Sequence, residues 1–147
     1  MEKKVEEFWH RFLASDAAAG FDNPVLYDVM RIGSSAASAE HGASVVLSGQ
    51  KTATSSPPSE YPSREAWPYV GALSVLLRGD SAPVAVIKTT EVVLRRLGDL
   101  DNDFAQDYGE WDGTAKTLRK NLAEFYECDE NQDLICERFR VVFRTDT

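Results

Sequence analysis

Gly49-Gln50-Lys51-Thr52-Ala53-Thr54 joins two stretches of different character. Upstream, residues 36–48 are rich in alanine and read as a helix, and Gly49 stands where a glycine commonly ends one. The reading of this hexapeptide decides where its two chemically useful side chains, Lys51 and Thr54, point. In a regular strand, residues three apart face opposite sides. The two converge only if the chain is still turning out of the helix at Lys51, and Gly49 permits that turn.

On the N-terminal side, Val5, Phe8, Trp9, Phe12 and Leu13 recur at helical spacing, so residues 2–15 read as an amphipathic helix that ends over residues 16–20. Residues 21–31, with Pro24, Phe21 and Tyr27, read as irregular. On the C-terminal side, residues 55–68 are rich in proline and polar side chains and read as a loop long enough to serve binding. Strands follow over 72–78 and from Pro83 to about Leu97, with a turn over 79–82. Residues 99–111 are acidic and mixed. Asp112 or Thr114 caps a helix to Tyr126 whose apolar side holds Ala115, Leu118, Leu122 and Phe125. In the last strand, residues 134–143, Ile135, Phe139, Val141 and Phe143 share a face with Glu137, while Cys136, Arg138 and Arg140 take the other. Helices mixed with antiparallel-looking strands, no internal repeat and no linker indicate one α+β domain spanning 1–147.

A chain of 147 residues with 43% apolar and 27% charged residues buries a sufficient core without staples. No apolar run approaches the ~20 residues of a membrane span, and residues 1–4 do not open a signal peptide. Cys128 and Cys136 do not form a CxxC clip and are expected to be reduced thiols, so the expected location is the cytoplasm. With only His10 and His41 beside them, no metal site and no cofactor are expected. Asp99, Asp101, Asp103 and Glu110 fall at EF-hand ligand spacing, but Phe104 stands where that loop needs glycine. A net charge of −8 opposes tight, sequence-independent binding to long nucleic acid, because that affinity comes from neutralising phosphates. It leaves room for a nucleoside or a short strand held by stacking.

The hexapeptide resembles the GxKTxT signature of the ASCH family (activating signal cointegrator homology), whose barrel is similar to the PUA domain. The order of further segments also resembles that family: Pro68-Tyr69-Val70-Gly71 before a strand, Thr89-Thr90-Glu91-Val92, Phe104-Ala105 followed by Gly109-Glu110, and Glu137-Arg138-Phe139. The likeness covers about 32–143, leaving 1–31 as an N-terminal helix and lead-in. It implies a PUA-like closed β-barrel with flanking helices and a cleft for a nucleoside or single-stranded RNA.

Some members of the family are amidohydrolases on acetylated cytidine, and others are described as metal-dependent ribonucleases. The hydrolase set resembles a lysine, a threonine three residues on, and a glutamate after the Phe-Ala pair. Lys51 and Thr54 match the first two. Tyr108 stands where the glutamate is expected, and Glu110 matches a second acidic position. The candidate catalytic residues are therefore Lys51, Thr54 and Glu110. The candidate ligand-binding residues are Tyr61, Trp67, Tyr108 and Arg119. The expected function is a nucleoside- or RNA-binding module. The rivals are an enzyme of the same fold, with a divalent metal if it is a ribonuclease, and a protein-binding adaptor. Oligomeric state stays open. Arg95, Arg96, Arg119, Lys120, Arg138 and Arg140 are candidates for a basic rim toward phosphate.

Overall fold

The computed structural model describes residues 2–145. Its elements run α1 (Lys3–Leu13), β1 (Leu26–Met30), α2 (Ala36–Leu47), β2 (Ala53–Ser56), β3 (Leu73–Leu77), β4 (Pro83–Arg96), α3 (Asn102–Tyr108), α4 (Ala115–Tyr126) and β5 (Asp133–Arg144), with short 3-10 turns between several of them. The mixed α+β architecture matches the expectation. Two elements do not. Residues 21–31 contain β1, which pairs parallel to β3 from Leu26 to Met30, and residues 99–111 contain α3. Both are too short to show periodicity, and in β1 Asp28 interrupts Leu26, Tyr27, Val29 and Met30 without a clear alternation.

The five strands form one sheet in the order β1-β3-β4-β5-β2. All its other pairs, β3–β4, β4–β5 and β2–β5, are antiparallel. β4 and β5 are the long members, and their register shifts twice, between Val86 and Ile87 and again between Thr89 and Glu91, just past the end of the β3 pairing. β1 and β2 do not pair with each other, so hydrogen bonds do not close the barrel that the family resemblance implies. The seam has a physical reason: residues of both edge strands wall a single cleft, and side chains rather than a ladder fill the gap.

Three apolar clusters hold the layers. Val5, Phe8, Trp9 and Phe12 of α1 pack on Leu73, Val75 and Leu77 of β3 and Val86 of β4. Phe8 and Phe12 meet Phe143 with ring centroids 5.5 and 5.7 Å apart. Each such buried side chain stabilises by about 2 kcal/mol. On the opposite side, Ala43 and Val46 of α2 meet Leu76, Ala85, Ile87 and Phe139. β3 is thus buried on both faces, which is why it reads as an almost unbroken apolar run. The third cluster sets Phe104, Tyr108, Leu118 and Leu122 of α3 and α4 on Ala53, Leu134 and Cys136. Cys136 is therefore a core residue, because α3 and α4 cover its face of β5. Phe125, expected in that core, is 63% exposed instead.

Two glycines set the path into and against β2. Gly49 adopts φ +84° directly after α2, and the backbone N–H of Lys51 donates back to the Val45 carbonyl at 2.9 Å. Gly109 ends α3 at φ +70°, and a Cβ there would lie 2.1 Å from the Gln50 carbonyl oxygen. The α2–β2 turn and the end of α3 therefore touch backbone to backbone. Gly109→Ala is expected to destabilise the protein by more than about 2 kcal/mol, through left-handed strain and this clash. Gly20→Ala, where nothing lies within 4 Å of the added carbon, is expected to change stability by less than about 0.5 kcal/mol. Urea denaturation of the two variants checks the contrast.

Candidate functional site

The α2–β2 turn carries Lys51 inward rather than into solvent. Its side chain is among the most buried of the chain, at 1% exposure for the residue. The ammonium donates to the Tyr108 carbonyl at 3.0 Å and to Glu110 Oε2 at 3.1 Å. It also sits 3.3 Å from the centre of the Tyr108 ring, on its face. Burial lowers the Lys51 pKa to about 8, with the Glu110 carboxylate opposing the fall. Backbone contacts reinforce the junction: Thr52 N–H donates to the Asp107 carbonyl at 2.7 Å, and Gln50 Nε2 donates to the Gly109 carbonyl at 2.8 Å.

Tyr108 is buried, and burial pushes its phenol up to about 12, with the Ser55 and Thr54 hydroxyls beside it opposing the rise. It stacks on Trp111 at 12° between ring planes and 6.0 Å between centroids. Trp111 itself takes φ +59°, an uncommon conformation for a bulky residue and one that costs of the order of 1–3 kcal/mol. Such strain concentrates at functional positions.

These residues border a cleft of about 630 Å³. Thr54, Tyr61, Tyr108 and Glu110 line it. Lys51 does not reach its surface and stands behind Tyr108. Trp67 and Arg119 are not among the lining residues. Trp67 lies under the Arg64 guanidinium at 5.1 Å, in the proline-rich loop. Arg119 is half-buried on α4, and its Nε has no hydrogen-bond partner. Three of the six candidates for a basic rim are engaged in ion pairs: Arg95 with Asp101, Arg96 with Asp99, and Arg138 with both Asp107 and Glu91. Asp101 caps α3 by accepting from the Phe104 N–H, so the acidic stretch is a helix start rather than a calcium loop. Among the described residues no group of three or more His, Cys, Asp or Glu side chains is placed to hold a metal ion. No described helix is long and apolar enough to cross a membrane.

Sequence reasoning missed much of the wall. Asp28 comes from β1, Glu60 from the loop, Trp111 from the residue after Glu110, Phe125 and Tyr126 from α4, and Glu137 from β5. Glu137 had a visible signal, a carboxylate on an otherwise apolar strand face. It lies directly opposite Thr54 across the β2–β5 pair, and Thr89 Oγ1 donates to its Oε1 at 3.3 Å. Burial raises its pKa to about 7, and the nearby Asp28 adds to the rise. Tyr61 shares its hydroxyl with Ser56 at 3.1 Å, and burial raises its pKa as well. Tyr126 donates to the Ser55 carbonyl at 2.7 Å, anchoring α4 to β2.

An α+β fold with a sheet opened at a β1–β2 seam and a lysine pinned behind the seam defines a class of small cleft-bearing domains. The family model of the ASCH domain matches residues 28–143, and the chain belongs to that family. The fold is similar to that of the crystallised ASCH domain from Lactobacillus crispatus JV V101, with a TM-score of 0.84 at 24% identity over 98% of this chain and 97% of that one. It is also similar to a protein from Enterococcus faecalis V583, with a TM-score of 0.83 at 28% identity over 100% of this chain and 97% of that one. No functionally curated protein matches the chain.

Lys51→Ala is expected to cost about 2–4 kcal/mol, because it leaves a cavity and strips the Tyr108 carbonyl and Glu110 of their donor. Lys3→Ala, which removes an exposed pair with Glu7, is expected to change stability negligibly. A second expectation concerns pH. The Glu137 carboxyl binds its proton more tightly when folded (about 7) than at its ordinary value of 4.5. Between these values the native state holds more protons than the unfolded state, so stability falls as pH rises through the window, by on the order of 3 kcal/mol. Denaturation curves at pH 4.5 and pH 8 should show this loss in wild type and a smaller one in Glu137→Gln.

Proposed function

We propose that the cleft binds an unphosphorylated nucleoside or a comparable small planar heterocycle. The observation that carries this reading is the composition of the wall. Trp111 and Phe125, 53% and 63% exposed, stand at it with Tyr126 as aromatic surfaces. Asp28, Glu60, Glu110 and Glu137 supply carboxyl groups, against Arg31 and His41 as the cationic or ionisable basic members. Aromatic faces stack on a base, while this excess of acid repels phosphates. With a net charge of −8, the balance favours the nucleoside over an RNA strand. A volume of about 630 Å³ lies within the range typical of small-molecule sites.

A second reading, an amidohydrolase of the same fold, is favoured by one contact. Glu110, not Tyr108, is the carboxylate that meets the Lys51 ammonium, so the glutamate missing at position 108 has a neighbour in its place. In that chemistry Thr54 is the nucleophile, Lys51 the base and Glu110 the acid that protonates the leaving amine. The reaction would require the Tyr108 ring to move off Lys51.

A thermal-shift panel of nucleosides, their 5′-monophosphates and short single-stranded RNAs tests the first reading. Nucleosides are expected to raise the melting temperature, by up to about 2.7 kcal/mol of stabilisation at a hundredfold excess over Kd. Monophosphates and RNA should act more weakly. Trp111→Ala should weaken nucleoside binding roughly tenfold or more, the usual worth of a stacked base. Flat nucleoside results at millimolar concentration would favour the adaptor. Release of acetate from N4-acetylcytidine by wild type, abolished in Thr54→Val, would establish the second reading.

A further inference from the structure

We propose that Glu137 determines the specificity of the cleft, its carboxyl group reading the edge of a neutral heterocycle that carries a hydrogen-bond donor and an acceptor side by side. The inference rests on the nucleoside reading and names the residue and the ligand chemistry of that site. Three observations carry it. Glu137 lines the cleft and lies opposite Thr54 in the strand register, so carboxyl and hydroxyl present one polar strip. Thr89 Oγ1 donates to Oε1, which fixes the group from behind. Among the described residues Oε2 meets no protein donor, and it is not among the buried atoms lacking a partner, so it opens toward solvent in the cleft.

The surroundings set the form in which this group works. Tyr27 and Asp28 face it from β1, Tyr61 from the proline-rich loop and Thr89 from β4, while Glu60 lines the same cleft. None of these is a cation, and Arg31, His41 and Glu110 share the same cleft. An acid held at about 7 is largely protonated in mildly acidic solution. With Oε1 accepting from Thr89, the proton resides on Oε2. The group then offers a donor at Oε2 and an acceptor at Oε1. That pair is complementary to the amino–imine edge of cytosine or adenine and to the lactam edge of uracil. Above the pKa the donor is gone, and the carboxylate that replaces it repels the ring acceptor.

The test measures the affinity of the full chain for cytidine, uridine and 3-methyluridine, which stays neutral, by calorimetry at pH 6, 7 and 8. Wild type should lose about tenfold in affinity between pH 6 and pH 8, as the proton leaves. N3-methylation should weaken binding at pH 6 by roughly tenfold or more, since it blocks the read position. Glu137→Gln keeps one donor and one acceptor permanently, so it should retain the pH 6 affinity and flatten the profile. Glu137→Leu, folded by circular dichroism, should lose binding at every pH. A pH profile that persists in Glu137→Gln would assign the titration to another group, such as His41, and overturn the proposal. So would undiminished binding of 3-methyluridine relative to uridine. Failure of every nucleoside to bind would overturn the nucleoside reading and this inference together, whereas either preceding result, with the parent nucleosides bound, would overturn only the role of Glu137.

Discussion

The contact on which the site depends is the burial of the Lys51 ammonium between the Tyr108 ring, the Tyr108 carbonyl and the Glu110 carboxylate. A lysine this deep is costly unless its charge is matched. Here one full carboxylate, one carbonyl dipole and one aromatic face match it. Their positions follow from the chain: all three belong to the segment that ends α3 and leaves it through Gly109. Lys51 therefore holds that segment against the α2–β2 turn. The same segment presents Tyr108, Glu110 and Trp111 to the cleft.

The open seam is the complementary constraint. A closed ladder between β1 and β2 would satisfy their edges but abolish the space between them. Instead Asp28 satisfies one edge amide itself, accepting from the Val29 N–H at 2.8 Å. Carboxyl groups gather along the seam because each enters from a different element. Burial there raises Glu137 rather than pairing it, in contrast to Arg138 next along the strand, which is neutralised by Asp107 and Glu91. Adjacent residues of β5 thus serve opposite ends: Arg138 ties α3 to β4 and β5, and Glu137 keeps an unmatched polar group at the cleft.

Tyr108 has several structural duties at once. A tyrosine at this position fills the α3–α4 core, covers Lys51 and supports Trp111 by stacking. The carboxylate that meets Lys51 comes from Glu110, two residues on and past the left-handed turn at Gly109. The consequence is a lysine matched in charge but screened from the cleft, which separates the stabilising contact from the ligand surface.

The long periodic helices, the strands β3 to β5 and the family were legible in the sequence, because their patterns repeat over enough residues to be read one at a time. Phe8 and Phe12 announce a helix face, and Gly49-Gln50-Lys51-Thr52-Ala53-Thr54 announces the turn whatever surrounds it. That Lys51 would be buried rather than solvated was not legible, since its partners lie almost sixty residues away. Nor were β1 and the seam, whose half-polar residues acquire meaning only beside β3 and β2. Phe125 is exposed against expectation because burial depends on which neighbour covers a face, and periodicity identifies a face without saying what packs on it. Local pattern determined the elements and the turn at Lys51; long-range packing decided which charges were buried, and so which groups a ligand would meet.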